Sequence, residues 1–227
     1  MLHSTYLAAC LVVLLGVGAL AAQEKAAAQL FAPGEIIVKF SGKSEAGQIS
    51  ARALAEGTPS DASLTTYIQV LSKEIGIPLE VKQFGSGGNL VVAVRRPELI
   101  AILLKRLRET TDVKETRVVS GNDPTAPAVE VDFVQGSPET EVLAQGSSET
   151  GASSPEVQSL TKRLEHACGL ALTSRIVSRS QILVTPDLRA LTLDLAARLS
   201  KRTDVEYAQP NFIRRPTGSI GQLGPSK

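Results

Sequence analysis

"LLKRLRETTDV" (residues 103–113) and "LAARLSKRTDV" (residues 195–205) are nearly the same phrase written twice. At an offset of 92 residues Leu103 falls on Leu195 and Leu107 on Leu199, and one turn earlier Leu99 falls on Leu191. Leucines spaced in this way form one apolar stripe along a helix. Outward from the phrase, the same offset sets "NLVVAV" (89–94) on "QILVTP" (181–186). Further back, "LSKEIGIPLEV" (71–81) matches "LEHACGLALTS" (164–174) with a one-residue slip that superposes Gly76 and Gly169. "GEIIVKF" (34–40) is then matched to "VEVDFVQ" (129–135). Self-similarity of this kind decides the architecture: the chain reads as two copies of one unit.

Each unit has a readable order. "EIIVKF" is a short branched run, hence a strand. "SLTTYIQVLSKEIG" places Leu64, Ile68, Leu71 and Ile75 at helical spacing, with Gly76 as its stop. "LEVKQFGSGGNLVVAV" is a hairpin around a glycine-rich turn. "PELIAILLKRLRETTDV" opens with Pro97 and Glu98, which suit a first helical turn, and carries the stripe Leu99, Ile102, Leu103, Arg106, Leu107. "KETRVV" is a last strand. The expected fold class is therefore α+β: two tandem ferredoxin-like (βαββαβ) units, each a four-stranded antiparallel sheet with two helices on one face and the other face open. The units are expected at residues 32–120 and 128–215, joined by the linker "GNDPTAP" (121–127) and followed by a flexible tail at 216–227. Residues 41–63 and 135–155, rich in Gly, Ser, Glu and Pro, show neither helical nor strand pattern and read as mobile loops.

Composition narrows the functional classes. The 227 residues carry 24 Lys+Arg against 23 Asp+Glu, so no net charge attracts nucleic acid or an anionic membrane. With 43% apolar residues but no Trp and 4% aromatics, the cores must come from Leu, Val, Ile and Ala. The apolar run Tyr6–Ala22, ended by Gln23, Glu24 and Lys25, reads as a signal peptide (1–22) cleaved near Ala21–Ala22. A run of that length is short for a membrane span, so the expectation is a secreted or periplasmic protein with no membrane contact after cleavage. "LAAC" (7–10) imitates a lipoprotein cleavage box but precedes most of the run. The mature chain then keeps one Cys, Cys168, and one His, His166. A single thiol makes no internal disulfide, and Cys168 reads as a small buried apolar residue.

Catalytic chemistry finds little support. His166 and Cys168 stand two apart on a helix and point to different faces, so they form no nucleophile-base pair. One Cys and one His build no metal site, and no cofactor is expected. "GSGGN" (85–89) lacks the Lys, the Ser/Thr and the following helix of a phosphate loop. The central strands "NLVVAV" and "QILVTP" lack the aromatics on which RNA bases stack. The chain is not expected to be an enzyme.

"APGEIIVKF" (32–40) resembles the first strand of the propeptide of secreted subtilisin-like serine proteases, especially the fervidolysin-type prodomain. "TDVEYAQPNFIRRP" (203–216) resembles that prodomain's last strand and exit. The opening signature is clear only in the first copy and the ending only in the second. The resemblance implies a ferredoxin-like inhibitor domain that packs its open sheet face on a protease, assists its folding, and lays its C-terminal tail along the substrate cleft. It implies Tyr207, Phe212, Ile213, Arg214 and Arg215 as protease-binding residues. The DTG-, HGTH- and GTS-like motifs of the catalytic domain are missing from the sequence. The leading expectation is a stand-alone propeptide-like protein acting on a subtilisin-like protease encoded elsewhere. The alternatives are a structural or adhesive module, favoured by the duplication, and the remnant of a protease that lost its catalytic domain.

Overall fold

The computed structural model describes residues 30–119, 127–146 and 155–213. The expected signal peptide, nearly all of the expected linker, Arg214, Arg215 and the 216–227 tail lie outside the described residues. Within the described part, the first half of the chain runs β1 (Phe31–Phe40), α1 (Glu45–Ala55), α2 (Ala62–Ile75), β2 (Leu79–Phe84), β3 (Leu90–Val94), α3 (Arg96–Arg108) and β4 (Val113–Val119). The second half runs β5 (Ala128–Phe133), α4 (Pro138–Gly146), α5 (Pro155–Cys168), β6 (Leu172–Ser178), β7 (Gln181–Pro186), α6 (Leu188–Leu199) and β8 (Val205–Phe212). A single 3-10 turn at Ser86–Gly88 closes the β2–β3 hairpin, as the glycine-rich "GSGGN" suggests.

The duplication extends to capping detail. α2 ends at Gly76 and α5 at Gly169, both with left-handed backbone (φ 75° and 59°). Immediately after each, the first N–H of the following strand is held by a side chain of the preceding helix. Leu79 donates to Ser72 Oγ (2.9 Å) and Leu172 to Glu165 Oε1 (2.9 Å). Different residues fill one role, because the geometry repeats while the chemistry drifts.

Two expectations of the loops fail. Residues 45–55 and 138–146 are helices, α1 and α4, so among the described residues each half carries three helices rather than two. The reason lies in how α1 is buried: its inward positions are Ala46, Gly47, Ser50 and Ala53, small residues that show no apolar periodicity in the sequence. Good intrinsic propensity of Ala, Gln and Arg and a Ser44 cap supply the helix. The Ser44 side chain accepts from Gly47 N (3.1 Å), and Ser137 accepts from Thr140 N (3.4 Å) at the matching place before α4. On α4, Leu143 is fully buried in the core.

Sheet topology also differs from the expectation. One antiparallel sheet has the order β2-β3-β1-β8, the other β4-β5-β7-β6. Each takes three strands from one half of the chain and its edge strand from the other, so the last strands are exchanged. The connection between β4 and β5 explains this. Val119 pairs with Ala128, Val118 with Val129 and Thr116 with Val131, so two strands close in sequence form a hairpin. Closing that short loop costs far less chain entropy than bringing β4 back to the distant β1. The helix before each last strand goes with it: α3 packs on α5, β4 and β5, while Thr192 of α6 is hydrogen-bonded to β1.

Registers correct one match in the repeat. Ile36 pairs with Val92 and Val129 with Val184, while Phe40 and Phe133 are buried at the same end of their strands. β1 and β5 therefore correspond at an offset of 93, two residues from the match of 34–40 with 129–135. A shift of two leaves every side chain on the same face, which is why the pattern alone misses it. Between the sheets and helices runs one continuous apolar cluster, built of Leu, Ile and Val as composition requires. Leu99, Leu103, Leu107, Leu191, Leu195 and Leu199 are all buried in it, each stabilising by about 1.5–3 kcal/mol.

Candidate functional site

β1 and β8 meet at the edge of the first sheet, and the glycine of "APGEIIVKF" ties β1 to α6, the helix before β8. Gly34 has φ +86°, a conformation L side chains rarely adopt, and its buried N–H donates to Thr192 Oγ1 (2.7 Å) in α6. At the other end of β1, the Ser41 N–H donates to the Asp204 carbonyl (2.9 Å). Between them Lys39 Nζ and Glu206 Oε1 form an ion pair across the strands (2.9 Å). The bond to Glu206 raises the pKa of Lys39. At the strand ends, Ile213 N–H donates to the Leu30 carbonyl (3.0 Å) and the rings of Phe31 and Phe212 meet edge to face at 6.2 Å.

A polar node fixes the start of β8. Asp204 accepts from Arg202 Nε (2.9 Å) and Nη2 (3.1 Å), and also from the Tyr67 hydroxyl of α2. Arg202 Nη1 donates to Glu74 Oε2 (2.6 Å), again on α2. Tyr67 packs edge to face on Phe40 at 5.4 Å. The Arg202 guanidinium holds the Asp204 carboxyl below the usual carboxylate range, against a smaller opposing effect of burial. Burial, with the hydrogen bond to Asp204 second, pushes the Tyr67 phenol up to about 12. Two residues just before β8 are thus clipped to a helix 128 or more positions earlier in the chain.

The outer face of this sheet alternates with its core face. Ile36, Val38 and Phe40 are buried inward, while Glu35, Ile37 and Lys39 are only half-buried. Ile37 pairs with Val91, which is buried at 4% exposure, and Glu35 with Ala93, giving a small apolar strip that is only partly open. Ion pairs frame it: Lys82 with Glu35, and Arg95 with Glu80 (3.6 Å). Such exposed pairs contribute about 0–1 kcal/mol each, so they dress the face without rigidly sealing it. The second sheet offers a more polar face, with Arg117 on Glu130 (2.6 Å) and Asp132 accepting from Gln181 Nε2 (3.1 Å).

The residues the sequence singles out are distributed as follows. Tyr207 lies half-buried in β8 and its hydroxyl donates to Asn89 Oδ1 (2.7 Å). Phe212 ends β8 half-buried, and Ile213 follows with 56% exposure. Arg214 and Arg215 lie outside the described residues. Cys168 is buried, its thiol pushed up to about 11 by that burial, and His166 is exposed on α5. Sequence reading missed Gly34, Tyr67, Glu74, Thr192, Arg202 and Asp204 as a group. The available signal was that Arg202 and Thr192 depart from their repeat counterparts, Thr110 and Ile100.

No protein-family model, curated protein or solved structure matches this chain. Among the described residues no helix is long and apolar enough to cross a membrane, and no three His, Cys, Asp or Glu side chains gather to hold a metal ion. What the geometry offers is an anchored edge strand beside a half-exposed sheet face.

Proposed function

We propose that this is a secreted propeptide-like protein that binds a subtilisin-like serine protease, inhibiting it or assisting its folding, with the residues after Phe212 in the substrate cleft. The observation that carries the reading is the adjacency of β1 and β8. The propeptide-like opening stands only in the first copy and the propeptide-like ending only in the second, yet they are neighbouring strands of one sheet. The order β2-β3-β1-β8 is that of a single ferredoxin-like unit, assembled from residues 31–94 and 188–212. Residues 96–186 then form a second, rearranged unit of order β4-β5-β7-β6, inserted into the first. On this reading the first copy needs no tail of its own.

The binding mode is strand addition, in which an extended tail pairs its backbone with the cleft and alternate side chains fill pockets. The Arg215–Pro216 bond suits a segment that binds without being cut, because proline has no N–H to offer and restricts the residue before it. Residues 23–227 titrated against subtilisin-like proteases with a chromogenic substrate should inhibit, and a chain ending at Asn211 should not. An Ile37→Asp chain should also lose inhibition, while Leu183→Asp on the second sheet should keep it. A second reading, a structural or adhesive module, draws on the single core shared by both halves; inhibition by none of these chains would favour it.

A further inference from the structure

The duplication makes another topology available to this chain: α3 and β4 against β1, and α6 and β8 against β5. Both arrangements would bury the same leucine stripes, since Leu99, Leu103 and Leu107 stand where Leu191, Leu195 and Leu199 stand. Both would also keep the same backbone bond. Ser41 N–H to the Asp204 carbonyl (2.9 Å) has its counterpart in Val134 N–H to the Asp112 carbonyl (3.0 Å). Neither the core nor the ladder therefore distinguishes the two.

Three sets of side chains do distinguish them, and all three lie where the copies differ. At the first, the buried Gly34 N–H meets the Thr192 hydroxyl (2.7 Å). The counterparts are Pro127, which has no N–H, and Ile100, which has no hydroxyl, and these two line a common cavity of about 300 Å³. The other topology would strand the Gly34 N–H against Ile100 and set Thr192 against a proline. At the second, Arg202 and Asp204 meet Glu74 and Tyr67 of α2. Their counterparts are Thr110 and Asp112 on one side and Ala167 and Leu160 on the other. The other topology would leave Arg202 facing Ala167 and bring Asp112 to Tyr67 and Glu74 without an arginine. At the third, Lys39 pairs with Glu206, whereas the other topology would set Lys39 near Lys114 and Asp132 near Glu206.

We infer that Gly34–Thr192, Tyr67/Glu74–Arg202/Asp204 and Lys39–Glu206 form a matching code that selects the exchanged topology and so positions β8 beside β1. These are positioning residues, because they decide which sheet carries the chain's C-terminal segment. The inference concerns topology and stands without any protease; it adds to the proposed function by naming what puts the tail on the sheet that bears the opening strand.

The test uses residues 23–227 with two reporter pairs, Lys39→Cys with Glu206→Cys for the exchanged form and Lys39→Cys with Lys114→Cys for the other. Each chain is treated with a short bis-maleimide, and linked peptides are identified by mass spectrometry. The buried Cys168 stays silent. A glycine-serine insertion between residues 120 and 127 removes the bias of the short hairpin. Lys39→Cys removes the Lys39–Glu206 pair from both reporter chains, so the crosslinks read the Gly34–Thr192 and Tyr67/Glu74–Arg202/Asp204 sets, and only the Lys114→Cys chain keeps Glu206 to oppose Asp132. With the native code the long-linker chain should still give the 39–206 product. With Ile100→Thr, Thr110→Arg, Thr192→Ile and Arg202→Thr together, the ratio of products should move toward 39–114 by about tenfold or more. The inference is overturned if the reversed chain still links 39 to 206, or if the native-code chain with the long linker links 39 to 114. Should the reversed chain not fold by circular dichroism, the native-code long-linker chain alone decides between these outcomes. Loss of protease inhibition plays no part in this readout, so the two ideas can fail separately.

Discussion

Thr192→Val replaces a hydroxyl by a methyl of similar shape at a position with no solvent exposure. Thr192 Oγ1 accepts the Gly34 N–H at 2.7 Å and donates to the Leu188 carbonyl one turn back. In the valine variant the Gly34 N–H stays buried with no acceptor in place of Oγ1. Leaving such a donor unpaired costs about 1–3 kcal/mol. The intrinsic helix propensities of Thr and Val are close, so that term nearly cancels. A loss of about 2 kcal/mol corresponds to a fall in Tm of about 4–8 °C for a chain of this size. Thr192→Ser is the control, since it keeps the hydroxyl and removes only a methyl; it should lose about 1 kcal/mol or less. Scanning calorimetry of the two variants beside the parent decides the matter. Equal stability of the Val and Ser chains, or a Val chain within about 0.5 kcal/mol of the parent, would refute the claim that this hydrogen bond ties α6 to β1.

Three further expectations concern the polar node at the start of β8 and the turn before α1. Because Arg202 depresses the folded-state pKa of Asp204, the unfolded chain takes up its proton first as pH falls; the stability from this node is present above the ordinary carboxylate pKa of about 3.9 and is lost below it. Urea melts between pH 7 and pH 3 should therefore show a shallower acid decline in Asp204→Asn than in the parent, and equal slopes would dismiss the node. Tyr67, with its pKa raised to about 12, carries the opposite sign: its contribution is full below the ordinary phenol value of about 10 and declines as pH rises toward 12, so Tyr67→Phe should flatten the alkaline limb. In α1, a Cβ on Gly47 would stand 2.0 Å from the Ser41 carbonyl oxygen, a backbone atom that cannot swing away. Gly47→Ala should destabilise by about 1–3 kcal/mol despite its better helix propensity; a gain in Tm would show that the Ser41–Ser44 turn gives way easily.

The sheet strands, the leucine helices and their glycine stops are legible in the residues because each rests on contacts within one element. α1 and α4 were not, for a related reason. Ala46, Gly47, Ser50 and Ala53 are the buried positions of α1, and a small side chain at a buried position looks in sequence like any loop residue. Of the candidate site, Tyr207 and Phe212 were marked by the "VEYAQPNF" ending, and both lie in β8. Their neighbours in space were not visible, since Tyr67, Glu74 and Gly34 stand in the other half of the chain.

By itself the chain's order of residues determined the repeat, the alternation of strands and helices within it, and the apolar stripes that make a core possible. All of these follow from periodicity over one or two dozen residues. Which sheet each last strand joins was decided only in three dimensions. Both copies offer the same apolar partners to an incoming helix and strand, so hydrophobic burial is nearly indifferent to the choice. A short hairpin between β4 and β5 and a handful of polar contacts between distant residues tip it, and neither can be weighed until the chain is folded.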